Sequence, residues 1–107
     1  MRGKLNKPVI CANGFKMSVQ ANAFAYCEPR QDNATRYKLV EVGYPSADEP
    51  LLAQYAEDPE NLRGTVYPHV PCALVTLVIA KHGGMVSGEV PPGVAQLKPI
   101  EEDKTNV

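Results

Sequence analysis

Three cysteines (Cys11, Cys27, Cys72) and two histidines (His69, His82) are the side chains of this 107-residue sequence best suited to metal or thiol chemistry. Zinc sites usually announce themselves by a closely spaced Cys pair. No C-x-x-C occurs, and the Cys11–Cys27 spacing fits no knuckle or ribbon. No metal is therefore expected, and the cysteines read as small buried hydrophobes. Cys72 or Cys27 beside His69 or His82 would make a thiol–imidazole pair, which only geometry can establish. Acidic neighbours offer little more. Asp48 with Glu49, and Glu57-Asp58 with Glu60, fall at a helix start and in a turn, where acids usually cap the backbone. His82-Gly83-Gly84 has the composition of an anion loop but follows a helical run, so it reads as a helix stop. G-x-G-x-x-G, P-loop, H-E-x-x-H, G-x-S-x-G and S-x-x-K patterns are all absent. Catalysis is not favoured, and no cofactor is expected.

The stretch Tyr26-Cys27-Glu28-Pro29-Arg30, followed by Arg36-Tyr37, carries a different chemistry. Arginine grips phosphate through a planar fork, and tyrosine stacks on bases or side chains. Arg30, Arg36, Tyr37 and Tyr44 are the candidate ligand-binding residues. The alternative is that the tyrosines edge the core and the arginines are simply solvated.

These residues must be positioned by short elements. Val9 to Ala12 predicts a strand, and Asn13-Gly14 predicts a two-residue type I′ turn. Phe15, Met17 and Val19 then share one face at period two, with Lys16, Ser18 and Gln20 on the other. Residues 27–33 read as a loop. Arg36 to Tyr44 is the densest β-branched and aromatic run, ending at Gly43 and Pro45. Ser46-Ala47-Asp48-Glu49 fits a capping box, with Pro50 in the first turn, Leu51, Leu52, Tyr55 and Ala56 at helical spacing, and a stop at Asp58-Pro59. Thr65 to Tyr67 predicts a short strand. Pro71 opens a second helix running to Lys81, capped by Gly83 or Gly84. Met85 to Val90 is a last strand or loop. The resulting expectation is an α+β fold: a small, mostly antiparallel sheet packed against two helices. The domain spans 9–95, preceded by an arm at 1–8 and followed by a charged, disordered tail at 96–107. The expected core is Val9, Phe15, Met17, Val19, Leu39, Val42, Leu52, Tyr55, Leu74, Val75, Val78 and Ile79.

Whole-chain arithmetic narrows the partners. Eleven Lys/Arg against twelve Asp/Glu give a net charge of −1, without the basic excess of a nucleic-acid binder. Residues 1–53 carry seven basic and five acidic side chains, and the rest carry four and seven. No run approaches the roughly 20 apolar residues of a membrane span, and no signal peptide is visible. The 71–81 helix is apolar on nearly every side, more than one small sheet can cover, which predicts a homo-oligomer.

The sequence also resembles a family of small, mostly uncharacterised proteins encoded by tailed bacteriophages and prophages. The likeness is carried by Cys11-x-x-Gly14-Phe15-x-Met17-Ser18-Val19-Gln20, Tyr26-Cys27-x-Pro29-Arg30, Val40 to Ser46, Tyr55 to Asp58, Thr65-Val66-Tyr67-x-x-Val70-Pro71 and His82-Gly83-Gly84. It covers roughly residues 9–95 and transfers no site residue. The resemblance implies an accessory protein acting in the cytoplasm of an infected bacterium. The corresponding expectation is a non-catalytic host-defence inhibitor. It would dock on a defence protein complex, as anti-CRISPR proteins do, or sequester a nucleotide signal. A small thiol- or metal-dependent enzyme and a minor virion or assembly protein are the alternatives.

Overall fold

The computed structural model describes residues 5–100. Among these residues five strands form one antiparallel sheet: β1 (Val9–Cys11), β2 (Lys16–Gln20), β3 (Leu39–Gly43), β4 (Val66–Pro71) and β5 (Met85–Ser87). Their order is β4-β3-β2-β1-β5. Among the described residues there is one α-helix, α1 (Cys72–Lys81), which follows β4 directly. The architecture is α+β, with α1 and a 3-10 turn at Ala53–Tyr55 packed on the sheet.

Alternation in β2 and β3 separates the two faces of the sheet. Met17, Val19, Val40 and Val42 are fully buried and share a core with Tyr67, Val70, Leu52 and the α1 residues Val75, Val78 and Ile79. Ser18, Gln20, Glu41 and Val66 face the other way and are half-buried. Leu39, Tyr55 and Leu74, expected in the core, are only partly buried. Cys11, Cys27 and Cys72 are all buried and free, as small hydrophobes should be.

The strand expected from Thr65 to Tyr67 runs on to Pro71, and two further elements differ in kind. The β1–β2 hairpin forms, but not with a two-residue type I′ turn. Gly14 N–H donates to Cys11 O at 2.9 Å and Cys11 N–H donates to Phe15 O at 2.8 Å, enclosing three residues. Gly14 has φ +93° while Asn13 does not have a positive φ, the three-residue alternative in which glycine takes the left-handed position. Asn13 instead uses its side chain: Oδ1 accepts from Phe15 N–H at 2.9 Å.

The helix expected from Ser46 to Asp58 is absent, and only the 3-10 turn Ala53–Tyr55 forms there. The capping-box residues are spent on tertiary contacts. Ser46 Oγ accepts from Lys16 N–H at 2.9 Å. Glu49 turns inward with 1% of its side chain exposed. Prolines at 50 and 59 leave too few residues between them to repay nucleation of an α-helix.

The second helix starts one residue later than expected, at Cys72, because Pro71 ends β4 and serves as the N-cap; its stop is the expected one. Gly83 N–H donates to Ala80 O and Gly84 N–H to Ile79 O, at 3.0 and 2.9 Å, the paired bonds of a Schellman motif. The packed chain continues past residue 95: Met85 N–H donates to Leu97 O at 2.7 Å. The disorder expected of the tail beyond residue 100 falls outside the described residues, as do positions 1–4 of the arm. Residues 6 and 7 of that arm are fastened, with Asn6 bonded to Gln20 and Val19 O, and Lys7 to Glu89.

Candidate functional site

The four Arg/Tyr candidates do not converge on one pocket. Tyr37 is buried, its hydroxyl donating to Gln31 O at 2.6 Å and accepting from Ala34 N–H at 3.2 Å. It organises the 31–37 loop from within. Arg36 is exposed at the mouth of an open cleft of about 570 Å³, with Lys38, Glu28 and Pro29 and the start of α1. Arg30 lies elsewhere: Nη2 donates to Phe24 O at 3.1 Å, and its guanidinium sits 5.7 Å from the Tyr26 ring centroid. Tyr44 is at the far end of β3, 60% exposed.

Arg30 and Tyr44 are each linked to Glu41 on the sheet's outer face, Arg30 through Tyr26, whose N–H reaches that carboxylate, and Tyr44 through a groove that it lines with Glu41. The sheet's outer face is shaped there by a bulge. Val40 pairs with Val70 and Val42 with Tyr67, so Glu41 faces the two residues Pro68 and His69. His69 takes φ +53° at the bulge, and its N–H donates to Tyr26 O at 3.0 Å. The Tyr26 and His69 rings are tilted against each other at 6.1 Å. Glu41 Oε1 accepts from Tyr26 N–H at 3.3 Å. Phe24 and Tyr26 are 50% and 42% exposed. Tyr44 also has a positive φ, +51°, held by its N–H to Thr65 O at 3.0 Å. Left-handed backbone at two aromatic, non-glycine residues is costly and is characteristic of positions kept for function.

Beside Glu41 a groove of about 320 Å³ opens between Leu5, Tyr44 and Val66, floored by Ser18, Gln20 and Gly43. Gln20 is committed, donating to Asn6 O and Ser18 Oγ at 2.9 and 3.0 Å. Among the described residues, Glu41 Oε2 takes no hydrogen bond and no cation pairs with this carboxylate.

The groups suited to catalysis are arranged differently. Burial pushes the thiols of Cys11, Cys27 and Cys72 up from their ordinary value, away from the thiolate form that reacts. Cys72 Sγ donates to Tyr37 O and Cys27 Sγ to Asn22 O, at 3.3 and 3.2 Å. Among the described residues, no three His, Cys, Asp or Glu side chains gather closely enough to hold a metal ion. His82 has both ring nitrogens occupied. Nε2 lies 2.7 Å from Glu49 Oε1, and Nδ1 lies 2.9 Å from Asn13 Nδ2. Because Asn13 Oδ1 is taken by Phe15 N–H, the amide presents a donor to Nδ1, which places the imidazole proton on Nε2. The ring also stacks on Phe15 at 4.0 Å.

Glu49 receives Lys81 Nζ at 2.9 Å and Leu51 N–H at 2.8 Å in addition to His82. Burial alone would push its carboxyl up. The Leu51 N–H, Lys81 and His82 outweigh burial, and the net direction is down. This network ties the 46–52 turn, the helix end and the β1–β2 hairpin together.

Sequence reasoning marked Tyr26, Arg30 and Tyr44 but missed Phe24 and Glu41, and it considered His69 only for metal or thiol chemistry. The missing signal was the bulge, which has no local motif and exists only when β3 and β4 pair. No protein-family model, curated protein or solved structure matches this chain.

Proposed function

We propose that this chain is a non-catalytic binding protein that docks on another protein through the outer face of its sheet. The observation that carries the reading is the exposed aromatic surface of Phe24, Tyr26 and Tyr44 around the β3–β4 bulge, with Arg30 and His69 alongside. Aromatic and arginine side chains are enriched where protein interfaces concentrate their binding energy. The resemblance to phage-encoded proteins supplies the setting: interference with a bacterial defence system in the cytoplasm of the infected host. No helix among the described residues is long and apolar enough to cross a membrane.

A homo-oligomer forms part of the proposal. Ala73, Leu77 and Ala80 lie outward on α1, with Leu77 52% exposed, and a second copy would cover them. Light scattering tests this part, and a mass near 11.6 kDa at high concentration would refute it.

Sequestration of a nucleotide signal is the second reading, favoured by Arg36 and Lys38 at the cleft beside the start of α1. One experiment separates the two. Bacteria carrying individual defence systems are challenged with phage while expressing the wild type or a Phe24→Ser/Tyr26→Ser double variant. Purified protein is titrated calorimetrically with cyclic di- and trinucleotides and cyclic ADP-ribose isomers. Docking predicts that the wild type protects the phage from the defence system, that the folded double variant does not, and that no nucleotide gives heat. Heat abolished by Arg36→Ala would establish sequestration instead.

A further inference from the structure

The groove beside Glu41 has a chemistry more specific than an aromatic surface. Its lining combines Glu41, whose carboxylate Oε2 has no hydrogen-bonding partner among the described residues, with the exposed Tyr44 and two aliphatic side chains, Leu5 and Val66. Neutral polar occupants would gain little from the floor, since Gln20 and Ser18 are already bonded to each other. An anion would be repelled. More negative charge lies at the Tyr44 end, where Glu57 N–H donates to Val66 O at 3.0 Å and Asp58 N–H to Thr65 Oγ1 at 3.1 Å, holding both acids beside the edge of β4. A long aliphatic stem ending in a positive charge satisfies all of these features. The stem lies along Leu5 and Val66, the ring of Tyr44 supplies a cation–π face, and Glu41 receives the head.

We infer that this groove is a receptor for a single lysine or arginine side chain projecting from the partner protein. The inference rests on the docking reading above and gives it a chemical polarity: the partner presents a basic residue, and this chain presents the acid. Size does not choose the occupant, since about 320 Å³ holds such a side chain with room to spare; charge does, because the residues lining the groove include a carboxylate and no cation.

The test is an NMR titration of the isotopically labelled full chain with acetyl-Ala-Arg-Ala-amide, acetyl-Ala-Lys-Ala-amide and, as the opposite charge, acetyl-Ala-Glu-Ala-amide. The expected result is saturable shifts of the Ser18, Glu41, Gly43 and Tyr44 amides with the basic peptides, at dissociation constants of order 1–10 mM for so small an interaction. The acidic peptide should leave them unmoved. Glu41→Gln keeps an acceptor for Tyr26 N–H but removes the charge, and should weaken binding about fivefold or more. Tyr44→Asn removes the ring while tolerating the left-handed backbone, and should weaken binding without loss of melting temperature.

Equal shifts with the acidic peptide, no saturable shift with either basic one, or unchanged affinity in Glu41→Gln would overturn the inference. So would binding that appears only in a Lys4→Ala variant, since the occupant would then be the chain's own cation. Phage protection lost in Phe24→Ser/Tyr26→Ser yet retained in Glu41→Gln would also overturn it while leaving docking intact. Peptide binding in the groove without any effect of the aromatic variants on protection would overturn docking alone.

Discussion

Glu49 concentrates more tertiary structure than any other polar side chain described above, and its charge is the reason. Three donors from two segments converge on a carboxylate that is 1% exposed. Glu49→Gln would turn an amide donor toward two groups that already donate, and should cost about 2–3 kcal/mol at neutral pH in urea unfolding. The sign of the pH dependence follows from the downward direction of its folded carboxyl. The stabilisation is present in full above the ordinary carboxylate value and is lost as pH falls through the lower folded value. Wild-type stability should therefore drop below about pH 5 more steeply than that of Glu49→Gln, and the two curves should converge in acid. Tyr37 makes the companion case for its loop. Tyr37→Phe should lose about 1–2 kcal/mol with its two hydroxyl hydrogen bonds, while Arg36→Ala on the exposed neighbour should stay within about 0.5 kcal/mol. Neither role was legible in the sequence. The spacing from Ser46 to Glu49 serves a capping box as well as it serves an inward turn, and only His82 and Lys81, over thirty positions away, decide between them. Tyr37 lies in the run the sequence marks as a strand, between charged Arg36 and Lys38, and nothing local says that its hydroxyl organises the loop before it.

Elements with strictly local causes were the legible ones. The alternation of β2, the β-branched density of β3 and the Pro71-to-Gly84 frame of α1 are each written within fourteen residues or fewer, and each element forms inside its expected range. The bulge opposite Glu41 and the three-residue turn at Ala12–Gly14 depend on how two strands meet, which no single stretch encodes. Glycine substitutions would separate local from tertiary constraint. Gly14 and Gly84 both have φ above +90°, so alanine carries a conformational cost of about 1–2 kcal/mol at either. A side chain at Gly14 would meet open space, whereas one at Gly84 would lie 2.6 Å from Pro99 N and 2.7 Å from Lys98 C. Gly84→Ala should therefore be clearly the more destabilising of the two in thermal melts, because the backbone of 98–99 must move away. Equal losses would mean that this segment is not seated against the helix stop.

At the scale of the whole molecule, the segment after Val94 belongs to the fold rather than to a free tail. Leu97 supplies the carbonyl that receives Met85 N–H, and Val94 is itself buried. Deleting residues 96–107 should lower the melting temperature by several degrees, the shift that about 1 kcal/mol produces in a domain this size. Deleting 101–107 alone supplies the control, since all of these contacts lie before it. Truncation at 95 without effect would show that β5 holds its place through β1 alone.

The strand order has a consequence for how the chain emerges during synthesis. Strands β1 to β4 are laid down as neighbours in sequence and can pair one after another as each is made. The partner of β1 on its other side is β5, which is synthesised after the helix. Until Met85–Ser87 clears the ribosome, one flank of the first strand has no partner, and it carries the buried residues Val9 and Cys11. A chain that has emerged from the ribosome only as far as residue 84 holds a nearly complete meander with an open, apolar margin, the form in which such chains most readily associate with one another. Stalling chains cut at residues 84 and 100, each extended by a flexible linker long enough to fill the exit tunnel, and comparing their protease resistance would locate the step at which that margin closes.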